Sequence, residues 1–163
     1  MAIEETVTLS ERLGPDTIRE WQHAASRQWD DAEILRENRR PLAAIYLYGY
    51  VAEILIKGAY FRLIKKSLDE EITTRDRRTA ISESEKPMNL HDIAGWAKLL
   101  VRKRIELGQP NESPSGDEIN HNATTLYLNW RETIRYHDTE VAPAELAQVH
   151  KLAIWFRDVY PNL

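Results

Sequence analysis

Pro41-Leu-Ala-Ala-Ile-Tyr-Leu-Tyr-Gly-Tyr-Val-Ala-Glu-Ile-Leu-Ile-Lys-Gly-Ala-Tyr-Phe-Arg-Leu-Ile-Lys-Lys-Ser67 carries the longest apolar stretch of the chain, and its reading decides the fold. Proline suits a first helical turn, and no strand-type alternation follows. Continued to Ser67, a helix of this length measures about 40 Å. Its aliphatic residues, with tyrosines 46, 48, 50 and 60, cover nearly the whole circumference, so other helices must pack around it. Gly49 and Gly58 each cost about 1 kcal/mol against alanine in a helix interior. That cost implies close packing, and both positions are expected to face another helix. Gly49, Glu53, Lys57 and Gly58 interrupt the apolar run from Leu42 to Tyr60 and make it a poor bilayer span, so no membrane segment is expected.

On the amino-terminal side, Pro15 opens a helix in which Ile18, Trp21, Ala25, Trp29, Ala32 and Leu35 recur at steps of three and four. On the other side, residues 68 to 87 are charged and aperiodic and read as a mobile loop, an insertion. Asn89 then caps a helix through Leu90, Ile93, Ala97, Leu100 and Ile105, which Gly108 and Pro110 stop. A second loop runs to Gly116. Ile119, Ala123, Leu126, Trp130 and Ile134 mark a fourth helix, and Leu146, Val149, Ala153, Phe156 and Tyr160 a last one, begun near Pro143 and ended by Pro161. The expectation is an all-α, antiparallel (up-and-down) bundle of four or five helices. It forms one domain over residues 1–163, with its core at about 16–160 and mobile loops at about 68–88 and 108–116.

Composition agrees with this reading. The 163 residues include five tryptophans, 42% hydrophobic and 29% charged residues, which is enough to build one core. The absence of cysteine excludes disulfides, thiolate metal sites and thiol catalysis. With no basic and apolar leader at Met1-Ala-Ile-Glu-Glu5, a cytoplasmic location is expected. A net charge of −4 gives no global attraction to nucleic acid, so RNA contact needs a local basic patch.

Within the central stretch, Ala44-Ile-Tyr-Leu-Tyr-Gly-Tyr-Val-Ala-Glu-Ile-Leu-Ile-Lys57 resembles the second-helix signature of the HEPN superfamily, in the branch reading roughly AIYLxGYxxExxLK. Trp29-Asp-Asp-Ala-Glu-Ile-Leu35 resembles the family's first helix, and Leu90-His-Asp-Ile93 its His-Asp-Leu element. Asn129-Trp-Arg-Glu-Thr-Ile-Arg-Tyr136, followed by a helix with Trp155, is similar to the carboxy-terminal segment. The resemblance spans residues 20 to 158 and implies a helical bundle that usually forms a homodimer. It also implies association with RNA or a nucleotide, in bacterial proteins that include both metal-independent ribonucleases of toxin–antitoxin or defence systems and non-catalytic modules. A nucleotidyltransferase antitoxin is an implied partner.

The candidate site residues follow from the same segments. Glu53 and Lys57, four apart on one helical face, are either a self-satisfied ion pair or part of a functional groove. Arg131 and His137 match the family's ribonuclease spacing of Arg, four to six residues, then His. Metal-free cleavage by a 2′-hydroxyl needs a proton acceptor near neutral pH and a cation beside the phosphate. On one continuous helix, residues six apart diverge by about 120°, so the fourth helix must end before His137 or a second subunit must complete the site. Arg135 and Tyr136 match the family's Arg-Tyr pair and join Glu53 and Lys57 as candidate ligand contacts. The alternative for Arg131 and Arg135 is a solvated face, with His137 in a helix-end turn. Asp92 is explained by the helix dipole beside it. No histidines show metal-ligand spacing such as His-x3-His, and neither metal nor cofactor is expected.

Overall fold

A computed structural model describes residues 8–109 and 112–163. The helices are α1 (Leu9–Arg12), α2 (Ile18–Glu37), α3 (Pro41–Leu63), α4 (Thr74–Ser82), α5 (Ile93–Glu106), α6 (Gly116–Asn129) and α7 (Pro143–Val159), with 3-10 turns at Glu132–Tyr136 and Tyr160–Asn162. No strand occurs among the described residues, and the all-α bundle stands as expected.

At the centre of the bundle, α3 packs against α2, α5 and α7, and α6 closes on α5 and α7. Ala44, Tyr48, Val51, Ala52, Ile56, Ala59 and Phe61 lose all contact with solvent. A helix with apolar groups on every side gains stability only by being enclosed on every side. It has the length and hydropathy of a bilayer span, yet most of it is buried inside the bundle. The helix, expected to run to about Ser67, ends earlier. Lys65 takes a left-handed conformation (φ 72°), and the Lys66 amide donates to the Phe61 carbonyl at 3.0 Å, which closes α3 at Leu63. The same closure ends α2, with Arg39 at φ 58° and the Arg40 amide on Leu35, and ends α5, with Gly108 at φ 76° and the Gln109 amide on Arg104. Only the glycine was legible as a helix stop; Pro110 lies outside the described residues.

Further expectations are corrected. Residues 68 to 87 are not a continuous loop, because Thr73 and Asp76 cap each other reciprocally and start α4, which buries Ala80. Pro15 precedes α2, whose N-cap is Thr17, its hydroxyl accepting from the Glu20 amide at 3.1 Å. The N-cap of α5 is Asp92 rather than Asn89. Finally, α6 ends at Asn129, so Trp130 is extended and Ile134 sits in a 3-10 turn. The two glycines of α3 meet aromatic side chains rather than helix backbones: Gly49 lies under the indole of Trp130 and Gly58 under the phenol of Tyr160.

Candidate functional site

Tyr46, Tyr50, Glu53 and Lys57 follow one another along α3 at steps of four, three and four, which places them on one side of the helix. Glu53 and Lys57 are buried, 3% and 6% exposed, and a carboxylate in such a place requires partners. One partner is the Lys57 ammonium, in a direct ion pair. Burial pushes the lysine's pKa down, and Glu53 opposes that push. The other partner comes from the segment before α5. His91 places Nδ1 3.0 and 3.2 Å from the two carboxylate oxygens of Glu53.

Three local contacts fix His91 there. The Asn89 side chain accepts from the His91 amide at 2.8 Å, the Trp96 indole donates to the Leu90 carbonyl at 2.9 Å, and the Asp92 carboxylate caps the Gly95 amide at 2.8 Å. In a neutral ring, a carboxylate at Nδ1 favours the tautomer that keeps the proton there and leaves a lone pair on Nε2. The His91 side chain is 34% exposed, so an oriented imidazole sits over a buried acid with a route to solvent.

Aromatic and cationic groups surround it. The Tyr50 ring lies 6.0 Å from that of His91, 5.2 Å from Trp130 and 4.9 Å from Tyr46, all edge-on. Burial first, then the Tyr46 hydroxyl, raise the Tyr50 phenol above its ordinary pKa. Past the end of α6, the extended backbone at Trp130 and Arg131 turns the chain into Glu132–Tyr136. The Arg131 guanidinium stacks 3.5 Å above the Tyr127 ring and donates to the Trp130 carbonyl at 2.7 Å. Arg135 donates to the Tyr46 hydroxyl at 3.5 Å and lies 4.7 Å from the ring of Tyr136, itself 71% exposed.

The structure therefore joins Glu53, Lys57 and His91 directly, and brings Arg135 beside them through Tyr46 and Tyr50. His137 lies elsewhere. It lines a groove of about 570 Å³ with Arg39, Arg40, Pro41 and Glu140. The break after Asn129 removes the helical divergence between Arg131 and His137, yet no hydrogen bond or ion pair links the two among the described residues. Sequence reasoning explained Asp92 and passed over its neighbour His91. The available signal was a lone acid on an apolar helix that needed more than a lysine. A second acid–imidazole pair joins other helices: Glu33 of α2 accepts from Tyr48 of α3, His150 Nε2 of α7 lies 2.9 Å away, and Arg36 lies at 2.8 Å. No three acidic or imidazole groups among the described residues converge as metal ligands.

Chemically, partly exposed aromatic rings suit the stacking of unpaired bases, the guanidinium groups suit phosphates, and an oriented imidazole suits proton transfer. Comparison with protein-family models, curated proteins and solved structures gives no match for this chain.

Proposed function

We propose that this protein is an HEPN-like domain that binds RNA or a nucleotide as a homodimer, on the face formed by Tyr46, Tyr50, His91, Arg131 and Arg135. The observation that carries the reading is the Glu53–His91 contact: a buried acid aims an accessible imidazole into a surface that also presents tyrosines and arginines. Such a surface recognises single-stranded bases by stacking and their phosphates by charge. The enzyme form of this reading is a metal-independent endoribonuclease of a toxin–antitoxin or defence system, with Arg131 beside the phosphate and a histidine as proton acceptor.

Purified protein incubated with total RNA in EDTA tests it, beside His91→Ala and His137→Ala variants. Cleavage lost only in His137→Ala supports the Arg131–His137 pair, whereas cleavage lost only in His91→Ala moves the base to His91. RNA retained on the protein without cleavage supports the binding form. If the protein neither retains nor cleaves RNA, the proposal is refuted.

A second reading draws on the separate surroundings of Arg131 and His137. It is a non-catalytic interaction module whose partner is a nucleotidyltransferase antitoxin or another second chain. Co-purification of a partner, with no effect on RNA, distinguishes it.

A further inference from the structure

His91 presents to solvent a nitrogen of fixed character. Its partner at Nδ1, Glu53, is already paired with the Lys57 ammonium, so Glu53 is a carboxylate and only accepts hydrogen bonds. The proton of that contact sits on Nδ1, because a ring lone pair turned toward a carboxylate would be repelled. Lys57 also balances the charge of Glu53, and the pair calls for no second cation from the imidazole. The groups around the ring leave this unchanged: Tyr50 meets it edge-on at 6.0 Å, Asp92 is committed to the Gly95 amide, and Arg135 stands behind Tyr46 and Tyr50. Nε2 is therefore left as an acceptor. It has no hydrogen-bond partner among the described residues, and it is open to solvent rather than closed inside the fold.

An acceptor at this position discriminates between sugars. Phosphate oxygens and the ring oxygen of a pentose only accept, so a neutral imidazole nitrogen gains nothing from them. The ribose 2′-hydroxyl is the one backbone group of an internal nucleotide that donates, and DNA lacks it. Beside the imidazole, the partly exposed tyrosines 46 and 50 suit the base attached to such a sugar, and the Arg135 guanidinium suits its phosphate. We infer, on the RNA-binding reading of this face, that His91 Nε2 accepts from the ribose 2′-hydroxyl and makes the face select RNA over DNA.

Titration of the isotope-labelled protein with three mononucleotides, followed by NMR on the His91 and Tyr50 ring resonances, tests it. Uridine 3′-monophosphate carries base, phosphate and 2′-hydroxyl with no internucleotide bond to cleave. Its 2′-deoxy analogue lacks the hydroxyl, and its 2′-fluoro analogue keeps the ribose pucker without the donor. The first should bind about fivefold tighter than either analogue, as one hydrogen bond of about 1 kcal/mol implies. His91→Ala should bring the three to equal affinity, a change of ratio that lost packing alone does not produce. In the free unaltered protein near neutral pH, nitrogen spectra should place a proton on Nδ1 of His91 and none on Nε2, a measurement that needs no variant. A proton on Nε2, equal affinity of the unaltered protein for the three nucleotides, or a preference kept in His91→Ala overturns the assignment. So does the absence of binding by all three. Filter retention of a 2′-fluoro oligouridine, which has no 2′-hydroxyl to attack its own backbone, separates the failures: if it is retained, the RNA-binding reading survives the loss of this assignment, and if it is not, both fall.

Discussion

The indole of Trp130 occupies the space that a side chain on Gly49 would need: a Cβ at Gly49 would lie 2.1 Å from the ring's Cδ1 and Nε1. The same ring donates from Nε1 to the Tyr46 carbonyl at 3.0 Å. This seat fixes where the chain leaves α6, and hence where Arg131 and Arg135 stand.

Gly49→Ala should destabilise the fold by about 3 kcal/mol or more, because the obstacle is a fully buried ring with nowhere to go. Gly58→Ala should cost about 1 kcal/mol or less, since its nearest obstacle, the Tyr160 hydroxyl at 3.2 Å, ends a half-buried side chain that can give. Urea midpoints of the two variants check the contrast.

Lys57→Met removes the ammonium paired with the buried Glu53 carboxylate, leaves it the His91 imidazole, and should cost about 3 kcal/mol. Adding Glu53→Gln should recover most of that loss, because the double variant buries no charge. Equal destabilisation of the single and double variants in urea would sink this account of the pair.

At the ends of α2 and α3, Arg39 and Lys65 hold left-handed backbone that costs an L-residue about 1–2 kcal/mol. Arg39→Gly and Lys65→Gly should therefore each raise the unfolding midpoint, by a gain of about 1 kcal/mol. Gly108→Ala should lower it. Thermal melts of the three variants suffice.

Stability should fall as pH drops below 4.5. Burial raises the Glu33 pKa, but hydrogen bonds from Arg36 and Tyr48 and the charge of His150 outweigh it and hold the carboxyl below that ordinary value. A folded value below the unfolded one means stabilisation that is complete above pH 4.5 and lost as the carboxylate protonates in the fold. Glu33→Gln should flatten this part of the profile and cost about 1–2 kcal/mol near neutrality. Denaturation across the acid range measures both effects.

If the surface around His91 binds RNA, Arg131→Ala and Arg135→Ala should each weaken binding and shallow its salt dependence, each phosphate contact contributing about 0.7 to the slope for single strands. Tyr50→Leu should weaken binding without changing the slope, because stacking releases no counterions. Filter binding at several salt concentrations reads both quantities.

Much of the fold was legible because its signals are local. The apolar circumference of α3 demanded enclosure, and the three- and four-residue steps of α2, α5, α6 and α7 supplied the enclosing faces. The helix α4 was missed because its charged residues hid Thr73 and Asp76, a reciprocal cap whose spacing is readable in the sequence. The early end of α3 was missed because Lys65 performs a turn for which glycine is the usual marker. At the candidate site, Glu53–Lys57 was readable because four residues make one helical step. Glu53–His91 was not, since 38 residues and the return past α4 separate the two. The position of His137 likewise depends on how the chain leaves Trp130, which nothing in residues 131 to 137 specifies alone.

Along α3, the partly exposed positions Ala43, Leu47, Tyr50 and Ile54 form one narrow ribbon, with Tyr46 beside it, while the remainder of the middle turns is enclosed. Substitution is therefore tolerated very unevenly around this rod. Changes on the enclosed faces are resisted by every neighbouring helix, whereas Leu47, Tyr50 and Ile54 on the ribbon meet the core on one side only, so changes there disturb fewer neighbours and alter what the molecule touches.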